Sequence, residues 1–124
     1  MDATFAGKRI LVIDDEVSIA DTLAAILKVN GYRARACYSG DMAVKTAAEF
    51  IPDAIVCDIL MPEMDGLVVA KTIRAKFPGC KILLITGQPG ATRLVENGGQ
   101  PWEVLLKPFQ ASDVLARLQR FVLA

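Results

Sequence analysis

The sequence predicts an α/β fold, a doubly wound sheet of five parallel strands flanked by helices. Short apolar runs of strand length alternate along the chain with amphipathic stretches that have the helical period. Turns that contain glycine or proline separate the two kinds of segment. Because the chain has 124 residues, we expect one domain that spans residues 1–124.

The first half of the chain contains two strand–helix pairs. Residues 10–13 are an apolar run typical of a buried strand. Residues 32–38 predict a second strand, which is more polar and therefore nearer an edge of the sheet. The helix between them ends at residues 30–31, where glycine provides a left-handed cap. Its apolar residues recur at helical spacing: Ala20, Leu23, Ala24 and Leu27. A second helix runs from residue 39 or 40 to about Phe50.

The second half contains three more strands. Residues 54–57 predict a third strand that ends on Asp58, residues 82–85 a fourth, and residues 105–106 lie in a short fifth. After the loop of residues 61–66, Asp65 can cap a helix that precedes the fourth strand. The last helix carries four apolar residues on one face: Val114, Leu118, Phe121 and Val122.

The segment between the fourth and fifth strands fits this pattern least well. Residues 86–101 include four glycines and two prolines, which leave only residues 91–97 for a helix. We therefore predict a short, irregular fourth helix of about two turns.

Composition excludes several classes of protein. The chain has no histidine, so it contains no Ser-His-Asp triad, His-ligated zinc site or phosphohistidine of its own. Lys plus Arg balance Asp plus Glu, and the sequence shows no basic stripe or base-reading element, so we expect no direct binding to nucleic acid. The three cysteines are predicted to be reduced core thiols. With no signal peptide or membrane span, a cytoplasmic protein is expected.

Polar side chains stand at the carboxyl ends of four predicted strands, where ligands of open α/β sheets bind. Asp14 and Asp15 follow the first strand, Asp58 ends the third, and Thr86 and Lys107 follow the fourth and fifth. Three carboxylates at one edge repel each other and raise one another's pKa values. A hard divalent cation resolves this conflict, and Mg²⁺ suits a site with few carboxylates. Phosphoryl transfer requires acids that hold a metal ion and, opposite them, donors that bind the phosphoryl anion.

In this arrangement the chain resembles the response-regulator receiver domains of two-component signalling along nearly its whole length. The matching motifs are the acids that follow the first strand, Asp58 with the loop behind it, Thr86-Gly87, and Lys107-Pro108-Phe109. Each motif alone is weak, but the ordered set is specific. The resemblance implies the receiver form of the flavodoxin-like fold.

The resemblance also implies a role for each site residue. Asp58 would be the phosphoacceptor, which takes a phosphoryl group from the phosphohistidine of a histidine kinase or histidine phosphotransferase. Asp15, Asp58 and the backbone carbonyl of Leu60 would ligate Mg²⁺, with Asp14 acting mainly through water. Thr86 would bind the phosphoryl oxygen, and Lys107 would pair with the acids or the phosphate. A cis peptide between Lys107 and Pro108 is also implied, as is a supporting role for Glu16; Pro62 and Gly66 would shape the loop behind Asp58.

Two features depart from the family pattern. Receivers commonly carry an aromatic switch residue three positions before the lysine, where this chain has Val104. Trp102 lies two residues earlier and is either packing at a strand start or a replacement for that switch. The short fourth helix is the second departure. Both features lie in the output surface of the family, which consists of the fourth helix, the fifth strand and the last helix. Neither changes the residues that the resemblance assigns to phosphoryl transfer.

We therefore expect a phosphoacceptor that switches protein–protein interactions and catalyses only its own phosphorylation and dephosphorylation. A stand-alone receiver is favoured over a fragment of a hybrid kinase, and the downstream partner is unknown. One alternative is a phosphohydrolase similar to haloacid dehalogenases, although that family places its nucleophile after the first strand with a second Asp two residues on. Another is a phosphorylation-independent pseudo-receiver adaptor, which would normally have lost an acid or the lysine.

Overall fold

Five parallel strands form a single sheet in the computed structural model, which describes residues 7–63, 65–91 and 102–123. The strand order is β2-β1-β3-β4-β5, and every neighbouring pair is parallel. The strands are β1 (Arg9–Ile13), β2 (Arg33–Cys37), β3 (Ala54–Asp58), β4 (Lys81–Thr86) and β5 (Glu103–Leu106). The helices are α1 (Val17–Val29), α2 (Gly40–Phe50), α3 (Gly66–Lys76) and the last helix α4 (Ala111–Leu123). The predicted doubly wound α/β fold is confirmed.

Apolar side chains cover both faces of the sheet. Alternate residues of β1 point to opposite sides, so Leu11 and Ile13 join a core with α2 and α3, whereas Ile10 and Val12 join a core with α1 and α4. Residues 82–86 of β4 are buried without interruption, as expected for an inner parallel strand covered by helices on both faces.

Three helix ends lie where the sequence predicts them. Ser39 caps α2 by accepting a hydrogen bond from the Met42 N–H, and Asp65 caps α3 by accepting one from the Leu67 N–H at 2.8 Å. Gly31 follows α1 with a φ of 94°, the left-handed conformation that glycine adopts without a steric cost. These ends fix where each helix leaves the sheet.

The structure differs from the sequence analysis mainly at element boundaries. β2 is shorter than the predicted residues 32–38, because Tyr32 donates its N–H to Leu27 of α1 rather than to a strand. Thr86 is the last residue of β4 and does not follow it. After β4, Pro89–Ala91 form a 3₁₀ turn, and the rest of the predicted fourth helix lies outside the described residues. The three cysteines are buried and free, as expected.

No helix in the described part of the chain is long and apolar enough to cross a membrane.

Candidate functional site

Three carboxylates converge at the carboxyl edge of the sheet. Asp14 and Asp15 follow β1, Asp58 ends β3, and one oxygen from each of the three lies within 4.8 Å of the others. Asp14 and Asp58 are 2% and 5% exposed, and Asp15 is half-buried at the rim. Because β1 and β3 are hydrogen-bonded neighbours with Ile13 opposite Cys57, the residues that follow or end these strands must meet at one edge.

Backbone hydrogen bonds hold the acids in place. The Asp14 N–H donates to the Cys37 carbonyl at 3.0 Å, which extends the β1–β2 pairing by one residue. Asp14 Oδ1 accepts the Glu16 N–H at 2.9 Å, and Asp58 Oδ1 accepts the Leu60 N–H at 3.3 Å. Asp14 and Asp58 therefore each have Oδ1 bound to the loop that follows, while Oδ2 faces the Lys107 ammonium.

Lys107 provides the positive charge of the site. Its Nζ lies 3.1 Å from Asp14 Oδ2, 3.2 Å from Asp58 Oδ2 and 3.5 Å from Glu16 Oε1. The Lys107 N–H donates to the Thr86 carbonyl at 2.8 Å, so β4 sets the position from which the side chain extends. The Lys107-Pro108 peptide is cis, as the family resemblance implied. The sequence prediction that Lys107 meets the acids is confirmed in its geometry.

Burial and charge shift the pKa values of this cluster. Burial raises the pKa of Asp58 above its ordinary value, and repulsion from Asp14 adds to the rise, whereas Lys107 and the Leu60 N–H lower it. Burial lowers the pKa of Lys107, but its hydrogen bonds and attraction to Asp14 and Asp58 outweigh this, so the net pKa is raised. Repulsion between acids was predicted as the cause of raised values; for Asp58, burial is the larger cause.

The carboxylates fit a small hard cation. Asp14 Oδ2 is buried and has no hydrogen bond of good geometry in the described part of the protein, despite the nearby Lys107 ammonium. Lys107 supplies one positive charge to a cluster of three aspartates, so the cluster keeps negative charge that a bound cation would balance. Mg²⁺ coordinates one or two carboxylates and keeps several waters, which suits a site with a half-exposed rim at Asp15.

Thr86 is fully buried at the end of β4, and its hydroxyl bonds the loop that follows. Thr86 Oγ1 accepts the Gln88 N–H at 3.0 Å and lies 3.4 Å from the Gln88 carbonyl, to which it donates. Gln88 could not be predicted from the sequence as a partner of Thr86. It acts through its backbone N–H and C=O, which every residue other than proline has. Thr86 therefore lies at the carboxyl edge of the sheet, as the acids do, while its hydroxyl is hydrogen-bonded to Gln88 in the loop after β4.

Trp102 and Val104 pack against the same face of the sheet. Both are half-buried and contact the core that α2 and α3 cover. Trp102 immediately precedes β5 and does not belong to it. This is the position of a packing residue at a strand start.

Two open grooves flank the acid cluster. One of about 660 Å³ is lined by Glu16 and Lys107 together with residues of α1 and the start of α4. The other, of about 590 Å³, is lined by Asp15, Leu60 and the loop that leads to Asp65. The grooves therefore reach the rim of the cluster, at Glu16 and Lys107 on one side and at Asp15 on the other.

Comparison of sequences places this site in a family. Residues 10–119 match the family model described as the response regulator receiver domain. The response regulator MprA of Mycobacterium ulcerans (strain Agy99) is 33% identical over 114 residues, which cover 90% of this chain and 48% of that protein. MprA of Mycobacterium tuberculosis (strain ATCC 25618 / H37Rv) shows the same identity, with 49% of that protein covered. The chain thus spans about half the length of these curated relatives.

Solved structures show the same architecture. The chemotaxis protein CheY4 of Vibrio cholerae, crystallised at low pH, aligns with a TM-score of 0.84 at 28% identity, covering 94% of this chain and 99% of that chain. The response regulator TrrA of Thermotoga maritima, in complex with Mg²⁺ and BeF, aligns with a TM-score of 0.81 at 31% identity, covering 92% and 98%. The family model covers most of the chain, and the strand order and fold agree with it. This chain therefore belongs to the response regulator receiver domains of two-component systems.

Proposed function

We propose that Asp58 of this receiver takes a phosphoryl group from the phosphohistidine of a partner histidine kinase or histidine phosphotransferase. The observation that carries the proposal is the contact of Lys107 Nζ with both Asp14 and Asp58, in a cluster that also contains Asp15. An aspartyl phosphate site needs a carboxylate as nucleophile, acids that hold a cation, and an ammonium group that pairs with the transferred phosphoryl group. Because these 124 residues contain no histidine, the phosphohistidine must lie outside them.

Asp15, Asp58 and the Leu60 carbonyl would hold Mg²⁺, with Asp14 acting mainly through water. When bound, the cation neutralises charge on the phosphoryl oxygens during transfer. Asp14 Oδ2 supports this assignment: it has an ion pair with Lys107 but no hydrogen bond among the described residues, and a water of the hydrated cation would donate one to it.

In the transfer itself, one Asp58 oxygen would attack the phosphorus atom while the bond from phosphorus to the imidazole nitrogen breaks. The imidazole leaves with the electron pair, and Asp58 becomes an acyl phosphate. Lys107 would then pair with the phosphoryl group, because its Nζ already lies 3.2 Å from Asp58 Oδ2. Thr86 would turn its hydroxyl from Gln88 to a phosphoryl oxygen. That change in the loop after β4 would alter binding to a downstream protein. The chain would thus act as a signalling phosphoacceptor that promotes only its own phosphorylation and dephosphorylation.

The test uses small phosphodonors in place of the kinase. We would incubate the wild-type chain with Mg²⁺ and either acetyl phosphate or phosphoramidate, whose P–N bond imitates phosphohistidine, and measure intact mass. One phosphoryl group should be added to the wild type, and none to Asp58→Asn, because the amide keeps the shape and removes the charged nucleophile. Omission of Mg²⁺ should suppress the adduct.

Asp41→Asn is the matched control, because Asp41 is an exposed acid in the first turn of α2. It should be labelled like the wild type. Undiminished labelling of Asp58→Asn, or a stable adduct mapped by peptide mass spectrometry to another residue, would overturn the assignment of Asp58.

A further inference from the structure

The edge strand β2 directs some of its backbone groups away from the sheet, at buried Ala34 and half-buried Ala36. Among residues 7–63, 65–91 and 102–123, β2 pairs only with β1, and the sheet ends there. The Arg33 N–H donates to the Lys8 carbonyl at 2.8 Å, and the Cys37 carbonyl accepts from Asp14, so residues 33, 35 and 37 direct their backbone groups toward β1. By the alternation of a parallel strand, Ala34 and Ala36 direct their N–H and C=O groups away from the sheet.

Arginines line this edge on one face of the sheet. Ala34 packs in the core under α1, and Cys37 packs in the core under α2, so Arg33 and Arg35 lie on the α2 side. The Arg35 guanidinium confirms this side, since it lies 4.8 Å from the centre of the Phe50 ring at the end of α2. Both arginines are exposed.

The charges of these arginines are poorly compensated. Arg9 of β1 is the register partner of Arg33 and lies on the same face, so two like charges stand opposite each other. Arg9 has Asp53 at 4.0 Å, but neither Arg33 nor Arg35 has an ion-pair partner within the residues described. These arginines do not form a basic stripe in the sequence, because Arg9 joins the other two only when β1 and β2 pair.

A groove of about 560 Å³ runs along this edge. Its floor includes Ala34, Arg35 and Ala36, and helices α1 and α2 form its sides. Small residues keep it open on the α1 side, where Lys28 adds a further positive charge. The acid that lines it, Asp21, accepts a hydrogen bond from the Tyr38 hydroxyl. The edge therefore combines unpaired backbone groups, space for an added chain and an excess of positive charge.

We propose that this edge, defined by residues 33–37, is a docking surface for an extended segment of a partner protein that carries acidic residues at alternate positions. Such a segment would pair its backbone with Ala34 and Ala36 as a sixth strand. Its acidic side chains, about 6–7 Å apart along one face, would lie beside Arg33 and Arg35, which have the same spacing. The proposal is independent of phosphoryl transfer at Asp58.

The charge pattern selects this occupant over two others. A second copy of the chain, paired through its own β2, would place arginines beside arginines, which is unfavourable. Nucleic acid binding at physiological salt depends on many phosphate contacts, whereas this chain has no net charge and only a short basic segment. An acidic strand gains both the cross-strand ion pairs and the backbone hydrogen bonds.

The test is an NMR titration of the ¹⁵N-labelled full chain with three synthetic peptides. The first is acetyl-Thr-Glu-Val-Glu-Val-Thr-amide, with alternate glutamates. The second has the same composition with adjacent glutamates, Thr-Glu-Glu-Val-Val-Thr, and the third replaces both glutamates by glutamine. The first peptide should shift amides 33–37 most and should bind about threefold or more tightly than either control peptide. Added salt should weaken its binding.

Variants of the protein test whether the two arginines contribute to binding of the first peptide. Arg33→Gln/Arg35→Gln should bind the first peptide about three- to tenfold more weakly than the wild type, the range for two exposed ion pairs. Lys71→Gln/Lys76→Gln removes the same charge from exposed positions of α3 and should bind like the wild type. Both double variants should be labelled at Asp58 by acetyl phosphate as the wild type is, which separates this test from that of the proposed function.

Each outcome that contradicts the proposal leads to a different conclusion about this edge. Equal binding of the three peptides, or shifts that avoid amides 33–37 in the wild type, would overturn the proposal without reference to any variant. Binding of duplex DNA that depends on Arg33 and Arg35 at physiological salt would show a nucleic acid surface in its place. Dimerisation in analytical ultracentrifugation that Ala36→Pro abolishes would show that a second copy occupies the edge.

Discussion

Gly66 lies against the peptide that carries Asp58. A Cβ atom built on Gly66 would stand 1.9 Å from the Asp58 carbonyl oxygen and 2.7 Å from the Ile59 Cα atom. The Gly66 N–H donates to the Ile59 carbonyl at 2.7 Å, so the start of α3 is bonded to the chain that leaves β3. Only glycine permits this approach, because both neighbours are backbone atoms that cannot turn aside as a flexible side chain can.

Gly66→Ala should therefore disturb both stability and the site. We expect a loss of about 1–3 kcal/mol in the free energy of unfolding, the usual cost of forcing atoms into a packed region, together with slower labelling by acetyl phosphate. Gly79→Ala is the control, since a Cβ there meets no atom within 4 Å. It should stay within about 1 kcal/mol of the wild type in urea unfolding. Wild-type stability and labelling of Gly66→Ala would show that the β3–α3 connection adapts freely.

Removal of a carboxylate from the acid cluster should weaken binding of Mg²⁺. Asp15→Ala should lower the affinity at least about tenfold, because even the partners of metal ligands typically contribute that much. Isothermal titration calorimetry of the wild type, Asp15→Ala and the exposed-acid control Asp41→Ala measures this directly. If Asp15→Ala binds Mg²⁺ as tightly as the other two proteins, Asp15 is not a ligand.

The raised pKa of Asp58 predicts a pH-dependent stability. Because burial and Asp14 favour the protonated form in the folded state, the stability contributed by this group is present below the ordinary pKa of 3.8 and is lost as pH rises through the raised pKa. At neutral pH without Mg²⁺, the folded wild type thus carries an unfavourable charge that Asp58→Asn lacks. Asp58→Asn should unfold at a higher urea concentration at pH 7.

This advantage should shrink as pH falls toward the ordinary value, because the wild-type carboxyl then becomes protonated and resembles the amide. Urea titrations in EDTA at several pH values compare the two proteins. A constant difference at all pH values would mean that the substitution acts through packing rather than through charge.

Binding of beryllofluoride and Mg²⁺, which imitates the phosphorylated state, should free the Gln88 amide. That N–H now donates to Thr86 Oγ1, and it loses this acceptor if the hydroxyl turns to the phosphoryl site. Hydrogen exchange at Gln88 should accelerate, and the largest exchange differences should fall across residues 87–102, of which 92–101 lie outside the described part of the chain.

The Met42 amide is the internal control, because it is also capped by a hydroxyl, that of Ser39, but lies in α2. It should exchange equally in both states. Trp102, at the end of the same segment, should report the change by its fluorescence. Identical exchange across residues 87–102 with changes on another face would place the output elsewhere.

The sequence by itself predicted the succession of strands and helices along the chain and the polar residues that meet at one edge of the sheet. Apolar runs such as residues 82–85 identify buried strands, and Asp65 and Gly31 set helix ends, because these signals depend on neighbouring residues only. The acids and Lys107 were located because parallel strands bring their carboxyl ends to one edge.

The distances and environments of those residues were decided by the tertiary structure. Lys107 and Asp58 are 49 residues apart in sequence, yet their charged atoms lie 3.2 Å apart. The rise in the pKa of Asp58 and the pairing of Arg9 with Arg33 likewise depend on how separate segments pack. Local patterns specify which elements form, whereas burial and distance depend on atoms that come from distant parts of the chain.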